Sequence, residues 1–389
     1  MRDFRGHFTH ALGRTDAPLH FAAHSHHPWP DVTRAAQQAY WDESARLLDA
    51  KWGRILSELI PEAQRHVARQ LGLADPSTIC FSSNTHDFLL RIFASCSFAR
   101  PLRILTTDSE FHSFTRQVAR LEEDRLVDVT RVPVAPFATF AARFSAVAAA
   151  HPDWDLVWLS HVFFNTGQVI TNASLHEIVS SVKSVETIIV LDGYHSFMAM
   201  PVNLAPLAGR VFYLSGGYKY AMAGEGVCFM HCPDGYIPRP RATGWYAEFG
   251  ALEKPRDGAV AYGPGGARFL GATFDPSGIY RLNAVMRWLD EIRQDCTTMT
   301  AHCTALQQQF LARLATSPHP TWKLIEPDPA RRGRFLAFRT PKAPAIDEGL
   351  KARRVIVDHR GDILRIGFGL YQVESDIDHL VGALASLET

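Results

Sequence analysis

Lys219 and Asp192 are the residues of this 389-residue chain whose types and settings point most directly to chemistry. In "IIVLDGYHSFMAMPVNL" an apolar run ends at Asp192; in "VFYLSGGYKYAMAGEG" another ends in small residues followed by Tyr218, Lys219 and Tyr220. Apolar runs of this kind read as strands, and ligands of open α/β sheets bind beyond the carboxyl ends of strands, so both side chains can face one crevice. A lysine amine forms a Schiff base with a carbonyl cofactor. A carboxylate beside it can hold a heteroaromatic nitrogen protonated, so that the ring accepts electrons from a substrate carbon. Each residue alone has a plainer reading, Lys219 as a solvated loop residue and Asp192 as a strand-end cap.

The elements that must position this pair follow from hydrophobic periodicity. Runs at Thr78–Ser82, Arg103–Thr107, Leu156–His161, Thr187–Asp192, Val211–Ser215 and Gly226–His231 are almost continuously apolar, as strands covered on both faces are. Helical patterns lie between them at Thr85–Ala99, Ser113–Glu123, Ala135–Ala150 and Leu175–Val182, and two more precede them at Asp31–Asp49 and Ile55–Leu71. Such alternation implies an α/β fold with a mostly parallel sheet. The stretch Pro238–Gly278, with "GPGG" and "FDPSG", is too long for a simple connection and reads as a functional loop. One long helix is expected over Ile279–Ala315. Short strands follow at Lys323–Glu326, Phe335–Arg339, Val355–Val357 and Leu364–Gly367, with a last helix near Ile377–Leu387. The expected organisation is a large α/β domain over 31–277 and a smaller α+β domain over 278–389, joined by the N-terminal segment 1–30.

Several motifs, in chain order, resemble those of class V, fold-type-I enzymes dependent on pyridoxal 5′-phosphate (PLP), and among these kynureninase most closely. The "GYKY" segment around Lys219 is similar to that family's lysine motif, and Asp192-Gly-Tyr-His195 to its D-x-x-H segment. "WLSHVFFNTGQVI" resembles L-T-H-V-N-Y-x-T-G, and "LRIGFGLYQ" resembles the segment carrying the arginine for the substrate carboxylate, which places Arg365 in that role. The resemblance implies PLP as cofactor, bound by Lys219, Asp192, His195 and Tyr218, with Tyr218 also a catalytic proton carrier. "CFSSNTHDFLLRI" reads as strand, turn and helix, so Ser83, Asn84 and Thr85 are candidates for a phosphate cradle at a helix start; an ordinary N-cap at Asn84 or Thr85 is the alternative. Phe111 falls where relatives stack an aromatic ring on the cofactor, with a core phenylalanine as its plainer reading. Trp245, in "TGWYAE", and Thr273, in "LGATFDP", resemble cofactor contacts. In the class V family the corresponding threonine reaches across to the partner's phosphate, so the resemblance implies a homodimer with shared sites.

The substrate side departs from kynureninase. Phe163 replaces the Asn of H-V-N-Y, and the N-terminal segment reads His24-Ser-His26-His27, so His24, His26, Phe163 and Arg365 are the candidate substrate contacts. This pattern suggests another substrate on the same scaffold. The histidine cluster could bind zinc, but closed sites draw ligands from several segments, and no metal is expected. Arg365 has its own alternative, a structural ion pair with Asp358 or Asp362. The implied reaction is hydrolytic Cβ–Cγ cleavage of an amino acid through an external aldimine, with transamination or β-elimination as the runner-up and a non-catalytic ligand sensor as the rival from another class. Cysteine desulfuration is disfavoured, since no cysteine follows Cys303 to act as a mobile thiol.

Composition bounds the rest. Forty basic residues balance forty acidic ones without a block of either sign, so no nucleic-acid partner is expected. No apolar run reaches membrane-spanning length, and Met1-Arg-Asp-Phe-Arg-Gly-His lacks the apolar core of a signal peptide. Six cysteines without CxxC spacing read as thiols of a reducing cytoplasm.

Overall fold

The computed structural model describes residues 2–251, 258–316 and 322–387. Its centre is a seven-stranded sheet formed by β2 (Ile79–Ser82), β3 (Leu102–Thr107), β4 (Val127–Val132), β5 (Leu156–Ser160), β6 (Ile188–Asp192), β7 (Val211–Gly216) and β8 (Cys228–His231), which follow the short β1 (Leu19–His20). The spatial order is β2-β8-β7-β6-β5-β3-β4, and only β8 runs antiparallel to its neighbours. The inner strands are buried along their length because helices cover both faces, which is why they read as unbroken apolar runs. β4 has no counterpart in the sequence reading. It is an edge strand with exposed Asp128, Thr130 and Arg131, which interrupt its apolar pattern.

One face of the sheet packs on a core that includes Phe81, Leu159, Leu191, Tyr213 and Phe229, and the other on a core that includes Phe88, Trp158, Val190 and Phe212. The single helix expected over Ile279–Ala315 is two, Ser277–Glu291 and Cys296–Leu314. Arg293 takes a left-handed backbone (φ 56°). Asp295 then caps the second helix, accepting the Thr298 N–H at 2.7 Å in a capping box. The first of these helices packs against Val32–Leu47 and Ile60–Leu71. Only short 3-10 turns occupy the described part of Pro238–Pro276, and the helix from Ser277 begins at its end; positions 252–257 lie outside the described residues.

A second, four-stranded sheet is formed by β9 (Lys323–Leu324), β10 (Phe335–Arg339), β12 (Asp358–Arg360) and β13 (Ile363–Gly367) in the order β12-β13-β10-β9, all antiparallel. β11 (Val355–Ile356) instead pairs with β1, tying the N-terminal segment to the C-terminal part of the chain. The helix Ala343–Ala352 and strand β12 are further elements absent from the sequence reading. Among the described residues no helix is long and apolar enough to cross a membrane.

Candidate functional site

A cavity of about 230 Å3 opens at the carboxyl ends of β5, β6 and β7. Asp192 is the last residue of β6 and lies in register with Ser160, the last of β5. Lys219 follows β7 by a short turn. Both line the cavity, with Ser83, Asn84, Thr85, Phe111, Tyr218 and His195. Nine-tenths and more of Lys219 is out of solvent (6% exposed), and its Nζ lies 2.6 Å from Nε2 of His195. Burial pushes the ammonium down to about 7, while the nearby Asp192 carboxylate pulls it up. Burial likewise raises the Asp192 carboxyl, against the Tyr194 N–H that donates to its Oδ1 at 2.9 Å. His195 is held neutral by burial and by the Lys219 charge, and its Nδ1 is buried without a partner.

Around the lysine stand three aromatic rings, those of Tyr194, Phe111 and Tyr218, with Nζ at 5.2, 5.9 and 5.8 Å from their centroids. Phe111 is not a core residue; it is 40% exposed and meets Phe164 edge to face. At the helix Thr85–Ser95 the N-cap alternative is what the hydrogen bonds show. Asn84 accepts the Asp87 N–H at 2.9 Å as an N-cap, and Ser83, Asn84 and Thr85 still face the cavity.

The substrate-side candidates are placed differently. Phe163 does not reach the cavity: it is fully buried against Phe137 and Phe140, and Phe164 faces the cavity instead. The turn after β5 aims successive side chains to opposite sides, so the aromatic next in sequence takes the wall position. His24 also lies off the cavity wall, buried, with Nε2 2.8 Å from Oδ1 of Asp358. His26 is exposed at the rim, 3.5 Å from Glu225 and near the Tyr218 ring. His27 pairs through Nδ1 with the Pro28 carbonyl and His20 with the Tyr371 hydroxyl, so the cluster is dispersed into separate contacts. Among the described residues no group of three or more His, Cys, Asp or Glu is arranged to hold a metal.

Arg365 lies in the middle of β13, buried, opposite Asp358 of β12. Its Nε donates to Asp358 Oδ1 at 2.8 Å, its Nη2 to Asp358 Oδ2, and its Nη1 to the Phe164 carbonyl at 2.5 Å. Of the two acids named as alternatives, Asp358 is the one that pairs with it; Asp362 pairs with Arg339. Arg365 remains close enough for its charge to depress both Lys219 and His195. Trp245 and Thr273 lie off the cavity and hydrogen-bond to each other, Trp245 Nε1 donating at 3.1 Å.

The sequence reading missed Ser160, Tyr194, Phe164 and Glu225 on the wall and Glu110 behind it. Glu110 accepts hydroxyl protons from Thr107 and Ser160, both at 2.6 Å, and burial raises its carboxyl to about 7. A signal for it existed: an acid directly after the strand-end turn and before the candidate stacking residue Phe111.

Residues 19–380 match the family described as aminotransferase class-V. Isopenicillin N epimerase from Streptomyces clavuligerus is 28% identical over 363 residues, 86% of each chain. Among solved structures, a cystine C-S lyase superposes with a TM-score of 0.79 at 21% identity, covering 96% of this chain and 98% of the other. A cysteine desulfurase from Escherichia coli superposes with a TM-score of 0.78 at 18% identity, covering 98% and 96%. These likenesses carry the fold, and the mostly parallel sheet described above is theirs.

Proposed function

Because the chain belongs to the class-V aminotransferase family, we propose that it withdraws a proton from the α-carbon of an amino acid, with Lys219 as the base. Its cofactor is PLP, and the residues present fit that group. Asp192 is a buried acid whose carboxyl is raised by burial, a cost that a protonated ring nitrogen beside it would offset. Lys219 is a buried amine poised near 7, His195 offers an unpartnered Nδ1, and a helix N-terminus with Ser83, Asn84 and Thr85 opens on the same cavity. In this reading Lys219 would hold the cofactor covalently, Asp192 would pair with its ring nitrogen, Phe111 would pack on the ring, and Ser83, Asn84, Thr85 and Tyr218 would hold its phosphate.

When bound, the cofactor supplies an electron sink for the pair left on a substrate carbon. The chain's own work is to place and move protons. Lys219, whose amine burial brings to about 7, takes the α-proton; the Nε2 of His195 at 2.6 Å fixes the direction of its lone pair. Arg365 receives the substrate carboxylate. Tyr218, a cavity-wall phenol beside Lys219, moves a proton at the substrate's side chain. The aromatic wall of Phe111, Phe164 and Tyr194 keeps water from the base. Trp245 and Thr273, which lie off this chain's cavity, serve the partner's site in a homodimer.

The observation that carries this reading is the buried, proton-poor amine of Lys219 against His195, on the cavity shared with Asp192. Its finer form is kynureninase-like Cβ–Cγ hydrolysis. A second outcome, return of the proton or loss of a β-substituent, is favoured by the relatives, whose names are those of an epimerase and a C-S lyase. Desulfuration through a mobile thiol is not, because all six cysteines are buried. The test is incubation of the PLP-loaded protein in deuterium oxide with a panel of amino acids that includes kynurenine and its hydroxylated form. Deuterium at Cα of a recovered substrate supports the reading, and products identified by mass spectrometry decide the outcome. Turnover whose product keeps the original α-hydrogen, with no deuterium entering at Cα, overturns it.

A further inference from the structure

A guanidinium presents five N–H groups, and in Arg365 three are engaged: Nε and one on Nη2 by Asp358, one on Nη1 by the Phe164 carbonyl. One N–H on each terminal nitrogen has no partner among the described residues. Asp358 and Arg365 face each other across β12 and β13, so the backbone register itself presents the acid to the side edge of the guanidinium. Phe335 of β10 lies under the guanidinium, 5.7 Å from its ring centroid.

The acid is held in turn. His24 Nε2 lies 2.8 Å from Asp358 Oδ1, and its ring stacks on Phe335 with centroids 4.7 Å apart. A carboxylate only accepts, so the His24 proton sits on Nε2, and burial keeps the ring neutral with its proton affinity down at about 4. The other nitrogen, Nδ1, has no partner and presses against Gly367: a Cβ there would fall 2.2 Å from it. The missing side chain at Gly367 is what lets the N-terminal segment bring His24 to Asp358.

We infer that Asp358, braced by His24, is a positioning residue that fixes the side edge of Arg365 so that its two remaining N–H groups are aimed at a substrate carboxylate. The inference rests on the carboxylate role proposed for Arg365. A single acid thereby keeps the guanidinium from rotating and, through the Phe164 carbonyl, ties it to the loop that forms the cavity wall.

The test uses PLP-loaded protein titrated with L-alanine and, separately, ethylamine, which lacks the carboxylate, with binding read from the cofactor's absorbance. The wild type prefers L-alanine. Asp358→Asn loses that preference about tenfold or more, as expected for a charged hydrogen-bonded pair, while ethylamine binding and the cofactor band are unchanged. His24→Phe, which keeps the stack on Phe335 and removes the donor, shifts the preference in the same direction by less. If Asp358→Asn tightens L-alanine binding, the acid is an internal competitor for Arg365, and the inference is overturned. A lowered melting temperature with the preference intact in both variants makes Asp358 merely structural and overturns it too. Arg365→Ala separates the layers: if that variant keeps the preference, the carboxylate role of Arg365 has failed. If it loses the preference while Asp358→Asn keeps it, the positioning role alone has failed.

Discussion

Two buried basic side chains, Lys219 and Arg365, lie close enough for the Arg365 charge to act on Lys219, and they are treated in opposite ways. Among the described residues no carboxylate oxygen lies within ion-pair distance of Lys219, whose close polar contact is the neutral His195, and burial brings its proton affinity down to about 7. Arg365 has the Asp358 carboxylate on two of its nitrogens and a carbonyl on the third, and Asp358 is held well below the usual carboxylate range by His24 and Arg365. Arginine cannot give up its proton in a protein, and a fork of this kind keeps a fixed charge in a fixed direction. Withholding a counter-ion makes a base, and supplying one makes an anchor. In the function proposed above, the same scaffold is asked to do both.

The contrast is sharpest at the acid that Lys219 lacks as a direct partner. Asp192→Asn is expected to retain the cofactor and lose about two to three orders of magnitude in turnover, the usual cost of removing one strong electrostatic stabiliser. Absorbance and steady-state rates on the same sample check this; near-normal turnover would mean that the acid plays no part in the chemistry. At the other cation, Arg365→Ala is expected to weaken substrate binding by about 1.5–3 kcal/mol, and Arg365→Lys by less, with the cofactor still bound. If melting temperature falls and substrate saturation does not change, Arg365 is only a structural partner of Asp358.

The smallest effect concerns protons. The Lys219 pKa falls from its ordinary 10.5 to about 7 on folding, so at pH 7 and below the cofactor-free folded state bears the cost of a buried charge. Between those values the unfolded chain holds the proton and the folded chain does not, so stability rises with pH across that window. Urea midpoints of cofactor-free wild type and Lys219→Met, compared from pH 7 to 10, should converge or cross in favour of the wild type as pH rises. A difference independent of pH would mean that Lys219 keeps an ordinary proton affinity.

The two regions also differ in how far the sequence discloses them. Around Lys219 the signals are local: unbroken apolar strands, small residues at the turn, and an acid at the end of the neighbouring strand. Each of these survives translation into structure with end shifts of a residue or two, as at Leu156–Ser160 and Ile188–Asp192. Around Arg365 the decisive facts are pairings. Asp358 becomes its partner through the register of β12, a three-residue strand too short and too polar to announce itself. His24 arrives from the far end of the chain, through a contact that depends on Gly367 having no side chain. Phe163 and Phe164 are chemically alike, and only the turn after β5 decides which one packs inside and which faces the cavity. The break at Arg293 within an otherwise helical pattern was hidden for a related reason: the capping box at Asp295 is visible in the letters, but the left-handed residue before it is an arginine rather than a glycine.

The central claim is that Lys219 is the residue that holds PLP. Borohydride reduction of the loaded protein, followed by proteolysis and mass spectrometry of the modified peptide, tests it most directly. The account predicts loss of the visible band and a reduced cofactor adduct on the peptide containing Lys219, with no adduct in Lys219→Ala. An adduct on a different lysine, or a loaded, coloured protein whose Lys219 peptide stays unmodified, would contradict it.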